Sequence, residues 1–472
     1  MRAPEPLRRA SIRGLLSIMT RDQITARAAH PDTLTRYIAE LADLVGFPTE
    51  PGAEAAKSAC LAHLAALMAP HGVAARVIEG DHPPALLLSR VEGDSLPTLL
   101  CYGHGDTVPG LAGRWAEGLD PWTLTESDGK LYGRGVADNK GQVMVCLTAL
   151  RLVLEERGAI GFNFHMLVEM GEEVGSPGLN DICAALKDDL KADLVLASDG
   201  PRLSQDLPTV FLGARGAVNL TLTIRHRKGG RHSGNFGGLL RNPGTEMAHA
   251  LACIIGPRGD CLVPGWTPDG IPDDVRAALA NITPAGGEID PGWGAPGLSP
   301  AERVHAWSAV EVLAFTCGTP DQPVNAIPPE ARAHIQLRHV AGVDGPAIVP
   351  GLRAHLDAHG FDFVEIAEPE PRFPASSTPL SHPFARFVCA SIEDTTGRPP
   401  GLLPSQGGSL PNHVFTETLG LPAIWVPHSY PGCNQHAPDE HLPRAMIPGA
   451  IALMAGLYHD IGQAGRAGLG LA

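Results

Sequence analysis

The chain has 472 residues, a formal net charge of −15, 44% hydrophobic and 18% charged residues. That length exceeds the usual size of one simple domain, and the apolar share supports a large core. The acidic balance excludes a nucleic acid or an anionic membrane as the expected partner, since either would need a basic face.

The chain starts with Arg2, Arg8, Arg9 and Arg13 but without the apolar run of a secretory signal. Residues 1–30 are expected to form a disordered or helical arm. Leu34, Tyr37, Ile38, Leu41, Leu44 and Val45 recur at helical spacing before Gly46. A second helix is predicted over 54–68, ended by Pro70 and Gly72. Strands are predicted at 85–91 and 98–102, the latter almost wholly apolar, as a sheet centre would be. A helix at 142–157 and strands at 162–168 and 193–197 complete a β/α alternation. This pattern implies an open mixed α/β sheet with helices on both faces.

Near Gly213 the texture changes. Residues 217–225 alternate apolar and polar, a helix follows at 245–255, and a Pro/Gly-rich stretch at 256–301 reads as loops and short helices. A strand at 331–340, a helix at 347–358 and a strand at 361–366 complete an α+β set. The α/β texture then resumes with a helix at 383–396, a strand at 422–426 and a helix at 445–457. The expected organisation is one α/β domain (1–212 and 373–472) interrupted by an inserted α+β domain (213–372). No run reaches the length of a membrane span. Nine scattered cysteines without a Cys-x-x-Cys suggest neither a thiolate zinc site nor a disulfide framework, and they fit a reducing, cytoplasmic location.

The chemistry gathers around residues 168–175, Val-Glu-Met-Gly-Glu-Glu-Val-Gly. Glu172 and Glu173 stand side by side just past an apolar strand. Two carboxylates at the mouth of a core are unfavourable unless positive charge offsets them. Three more turns follow predicted strands and carry His104 and Asp106, Asp138, and Asp199. Open α/β sheets bind ligands beyond the carboxyl ends of their strands. One imidazole with several carboxylates is a ligand set for zinc or manganese. A fifth candidate, His436, lies in Gly-Cys-Asn-Gln-His-Ala-Pro-Asp-Glu at 432–440.

With all five in this order, the chain resembles the superfamily of co-catalytic dinuclear zinc peptidases. That superfamily includes carnosinase-type dipeptidases, acetylornithine deacetylase, succinyl-diaminopimelate desuccinylase and carboxypeptidase G. The resemblance runs from about residue 30 onward, and it implies that 1–212 with 373–472 is the catalytic domain and that the insert 213–372 is a lid and dimerisation domain. It implies two divalent ions per subunit, zinc first, with manganese or cobalt as alternatives. Asp138 would bridge them, His104 and Asp199 would complete one site, and Glu173 and His436 the other. Glu172 would be the general base acting on a metal-bridging water, and Asp106 would orient His104. The bond between Asp138 and Asn139 is expected to be cis.

The segment Arg231-His232-Ser233-Gly234-Asn235-Phe236-Gly237-Gly238 matches the carnosinase-type branch. By that resemblance His232 would reach across a homodimer to the partner's oxyanion. Asn325 lies in a matching Val-Asn-Ala-Ile-Pro stretch. Arg338 would clamp the substrate carboxylate, with Gly408 and Ser409 supplying a Gly-Gly-Ser loop. Asp199 stands where the deacylases usually carry Glu, which points to the dipeptidase side. Gln406 stands where those dipeptidases often carry Glu, which leaves an acylated amine end open. The expected activity is hydrolysis of an amide in a small carboxylate-bearing substrate, dipeptidase first and N-acyl-amino-acid deacylase second.

Overall fold

The computed structural model describes residues 20–284, 289–368 and 373–471. The arm expected over 1–30 therefore lies outside the described residues up to 19. From there a capping box at Thr20 and Gln23 starts a short helix, Arg21–Arg27. The expected boundary of the insert at residue 372 also lies outside the described residues.

The main sheet has eight strands, in the order Ala74–Ile78, Ala85–Arg90, Asn163–Glu169, Thr98–His104, Leu194–Ala197, Ala423–Trp425, Thr209–Phe211 and Gly401–Leu403. Its centre is parallel: Thr98–His104 lies between Asn163–Glu169 and Leu194–Ala197, with His104 opposite Glu169 and Tyr102 opposite Ala197. The outer pairs include antiparallel ones, so the sheet is mixed. The central strands are buried along their whole length, which is why they read as continuous apolar runs. Helices Pro31–Val45, Lys140–Arg157, Pro383–Thr396 and Met446–Gly468 fill a core on one face. Leu179–Leu190 packs with Trp425 and Phe415 on the other.

A four-stranded antiparallel sheet, ordered Ala309–Cys317, Glu330–His339, Gly216–Arg225, Glu365–Ala367, forms the second unit. Val218, Leu220, Leu222 and Ile224 face helices Pro243–Ile254 and Ile348–Ala358 through Met247, Ala250, Ile254, Leu352 and Leu356. Among the described residues, this core and the side chains packed against it lie between Val218 and Ile366. The predicted helices at 54–68 and 383–396 have the observed bounds.

Three local readings need correction. The strand expected at 361–366 shrinks to Glu365–Ala367. The preceding residues fold back to cap helix Ile348–Ala358, with Phe361 N–H donating to the Leu356 carbonyl and Arg353 donating to the Phe361 and Val364 carbonyls. The last helix continues past 457 as far as Ala464, where Gly465 (φ 60°, ψ −172°) breaks it before a final turn that ends at Gly468. The strand Ala309–Cys317 has no counterpart in the sequence reading. It lies at the sheet's edge, carries a bulge between Val312 and Ala314, and lacks clean alternation.

Candidate metal and catalytic centre

Parallel strands with aligned ends deliver the acidic side chains to one place. His104 ends its strand; Asp106, the Glu172–Glu173 pair and Asp199 follow the ends of three adjacent strands. Asp138 immediately precedes helix Lys140–Arg157, where the helix dipole favours negative charge. The Asp138–Asn139 peptide bond is cis, as expected. Gly141 lets this loop turn directly into the helix: a Cβ there would lie 1.9 Å from the Val136 carbonyl oxygen.

Asp138 stands between the two histidines. Its Oδ1 lies 3.1 Å from His104 Nε2 and its Oδ2 3.3 Å from His436 Nε2. Asp199 is 3.6 Å and Glu172 3.9 Å from the same His104 nitrogen. Glu173 is 3.1 Å from His436 Nε2. These side chains come together, although their grouping differs from the expected ligand sets: His104, Glu172 and Asp199 form one cluster and His104, Asp138 and Glu173 another, with His436 joined to the second through Asp138 and Glu173. Asp106 braces both parts. Its carbonyl lies 3.1 Å from His104 Nδ1, and its carboxylate accepts from the backbone N–H groups of Glu172 and Glu173.

The electrostatics follow from burial. Burial pushes the Glu172 carboxyl well above the usual carboxylate range; His104 opposes this, while Asp199, Glu173 and Asp138 reinforce it. Burial likewise raises Asp199 to about 7, again against His104. Burial works against a charged His104, but Asp199, Asp106 and Asp138 outweigh it and hold the imidazole well above its ordinary range. Bonds to Asp138 and Glu173 raise His436 to about 10. So many carboxylates, with histidines as their ion-pair partners, form a site that demands positive charge. Mixed N/O donors of this kind suit divalent zinc, manganese or cobalt.

Arg338 and Ser409 also meet as expected, with Nη1 donating to the Ser409 hydroxyl at 2.7 Å. Gly408 neighbours the Gln406 side chain. His232 and Asn325 form a separate group. His232 lies on an exposed two-residue strand paired with Ala326–Ile327, and the Asn325 carbonyl accepts from Ser233. His232 Nδ1 accepts a local hydrogen bond from the Gly234 N–H. Within one chain, His232 is not among the partners of the acidic cluster.

Four supporting residues escaped the sequence reading. Glu440 is fully buried; it accepts from the N–H groups of Gly135, Ala137 and Asp138 and pairs with Arg134 at 2.8 Å. Asn139 donates to Asp199 at 2.9 Å, and Gln435 to Asp138 at 3.1 Å. All three lie inside the motifs that drew attention to Asp138 and His436, so a polar residue flanking a ligand was the available signal. Arg215, in contrast, carries no motif. It donates to the Gly407 carbonyl, and its own carbonyl accepts from Ser409. Burial, followed by repulsion from Arg338, lowers its pKa to about 10, which makes the Gly407–Ser409 loop a cationic corner.

The fold and the donor set together define a hydrolase-like metal centre at the carboxyl ends of an α/β sheet. The chain belongs to peptidase family M20/M25/M40, whose family model matches residues 100–460. It is 36% identical to the Beta-Ala-His dipeptidase of Mus musculus over 186 residues, which are 39% of this chain and 37% of that enzyme. The chain's match thus spans little more than a third of that relative's length. It is 28% identical to the cysteinylglycine-S-conjugate dipeptidase of Corynebacterium striatum over 367 residues, 74% of this chain and 77% of that one. The fold is shared with an M20 family metallo-carboxypeptidase from Sulfolobus solfataricus, at a TM-score of 0.76 and 22% identity, covering 90% of this chain and 99% of that structure.

Proposed function

We propose that this chain is a metal-dependent dipeptidase that hydrolyses the amide bond of a small substrate carrying a free carboxylate. The observation that carries the reading is the convergence of His104, Asp138, Glu173, Asp199 and His436 around Glu172 in a chain of this peptidase family. Similarity to two dipeptidases supports the substrate class.

In this reading Asp138, His104 and Asp199 hold one divalent ion, and Asp138, Glu173 and His436 hold a second, zinc in both. When bound, the ions supply Lewis acidity, polarising the scissile carbonyl and acidifying water. Glu172 takes the proton of the attacking water and returns it to the leaving amine. Its place 3.9 Å from His104, among the ligands without a separate ion-pair contact to His436, suits it to carry that proton. Asp106 fixes both neighbours at once, through His104 and through the backbone of Glu172 and Glu173. Arg338, with Gly408 and Ser409, receives the substrate carboxylate, and Arg215 adds positive charge behind that loop.

His232 acts from the second subunit of a homodimer, with Asn325 shaping its loop. Its exposed position supports this, as does the uncovered strand Ala309–Cys317, whose Val312, Leu313 and Phe315 are 42%, 58% and 44% exposed. An apolar edge strand is a template for pairing. Among the described residues no helix is long and apolar enough to cross a membrane.

A second reading, an N-acyl-amino-acid deacylase, is favoured by Gln406. This residue places a neutral amide beside Gly200, next to Asp199, and its buried Oε1 has no hydrogen-bond partner. An amide is a weaker partner for a substrate ammonium than a carboxylate would be. A turnover screen of dipeptides against N-acyl amino acids, run on zinc-loaded protein, separates the two. Dipeptide hydrolysis is expected; turnover confined to N-acyl substrates would replace the first reading with the second.

A further inference from the structure

A second group of metal-binding side chains lies in the smaller unit, apart from the acidic cluster. Cys253 is near the end of helix Pro243–Ile254, and His355 and His359 are at the end of helix Ile348–Ala358. Both helices cover the same face of the four-stranded sheet. The spacing of four residues puts the two imidazoles on one helix face. Their ring centroids are 4.3 Å apart. One ligand atom from each of the three residues lies within 4.8 Å of the others.

The backbone bonds of the two rings set their tautomers. His355 Nε2 lies 2.8 Å from the Cys253 carbonyl oxygen, and His359 Nδ1 lies 2.8 Å from the His355 carbonyl oxygen. A carbonyl can only accept, so each ring donates an N–H there. In a neutral imidazole the other nitrogen then keeps the lone pair: Nδ1 of His355 and Nε2 of His359. Ligating histidines characteristically give their second N–H to a carbonyl in this way. Two histidines four apart on a helix are a known zinc-binding arrangement. The Cys253 thiol is half-buried and donates to the Ala250 carbonyl at 3.0 Å, which leaves its sulfur lone pairs uncommitted.

We propose that Cys253, His355 and His359 form an additional metal site, separate from the catalytic cluster, for a borderline-soft dication of the zinc and cobalt class. One thiolate and two imidazoles select such an ion over magnesium or calcium. Three protein ligands leave a fourth, outward position for water or an external ligand. The site ties the end of one covering helix to the end of the other, so its occupancy stiffens the unit that carries His232 and Arg338.

The test uses the full chain, stripped with chelator and titrated with cobalt(II). No cysteine belongs to the proposed catalytic ligand set, so a thiolate-to-cobalt charge-transfer band in the near ultraviolet reports the new site alone. The expected result is that band, together with one metal equivalent more than Cys253→Ser binds, while metal-loaded Cys253→Ser keeps its peptide hydrolysis. His359→Ala should lose the same equivalent, which guards against a folding defect peculiar to the cysteine variant. No band in the wild-type chain, or a band that survives Cys253→Ser, overturns the proposal. If the band is absent, the two carbonyl bonds serve only to hold the helix ends together.

Discussion

At the scale of single residues, the informative contrast is between Glu172 and Glu173, adjacent in sequence and different in surroundings. Glu173 contacts His436 at 3.1 Å and accepts from the Val108 N–H, which are the contacts of a ligand held in place. Glu172 lies 3.9 Å from His104 and has a strongly raised proton affinity. Glu172→Gln should therefore keep its metal and its fold while kcat falls by about 10²–10⁴-fold, the usual contribution of a positioned general base. Elemental analysis beside a turnover assay checks this; loss of metal in the variant would mean that the two glutamates exchange roles. Asp138→Ala should lose more metal than His104→Ala or His436→Ala, because its two oxygens face the two histidines separately. Normal metal stoichiometry in Asp138→Ala would rule out a shared ligand. Arg338→Ala should act mainly on KM, since it removes a binding contact and leaves Glu172 untouched; an unchanged KM would assign the substrate carboxylate to another cation.

At the scale of elements, ligand positions depend on how loops are pinned, and here Glu440 stands out. Its carboxylate gathers the N–H groups of Gly135, Ala137 and Asp138 and the Arg134 guanidinium in a site from which water is excluded. Glu440→Ala leaves Arg134 buried and unpaired, a change worth about 3–5 kcal/mol of stability. Urea unfolding should show it, together with weakened metal retention, because Asp138 hangs from the same loop. Unchanged stability would mean that water can replace the carboxylate. The sequence placed Glu440 beside a candidate ligand but did not show its burial, since a charged residue in a Pro-rich loop is ordinarily solvated. His104, Glu173 and Asp199 were legible because they end or follow buried apolar strands, the part of a sheet that periodicity detects, whereas Asp138 and His436 were found through their motifs alone. The short outer strands Thr209–Phe211 and Gly401–Leu403 were not, being only three residues long. Ala309–Cys317 failed for another reason: its apolar residues face outward, opposite to the rule by which strands are read. The loop bearing His436 is irregular for a related reason: Asn434, His436 and Asp439 have positive φ, a conformation these residue types tolerate better than most but which no hydrophobic period signals.

At the scale of the whole molecule, the proposed active site is divided. Metal ligands and base come from the α/β body, the carboxylate clamp from the smaller sheet, and His232 from an exposed strand whose hydrogen bond is local. If His232 serves the partner's site in a twofold dimer, two inactive proteins should complement each other. Glu172→Ala subunits are mixed with His232→Ala subunits under conditions that exchange protomers. In each heterodimer one site carries both lesions and the other carries neither. Random twofold pairing at equal mixing makes half the dimers mixed, each with one intact site, so activity should recover to about a quarter of wild type. The outward apolar residues Val312, Leu313 and Phe315 give a second handle on the same assembly. Leu313→Glu places a charge on the uncovered strand and should shift the chain toward monomer in sedimentation, with activity falling in proportion. Heterodimers verified by mass that stay inactive, or a monomer that is fully active, would place the action of His232 within its own subunit, and a fully active His232→Ala protein would remove it from the reaction altogether.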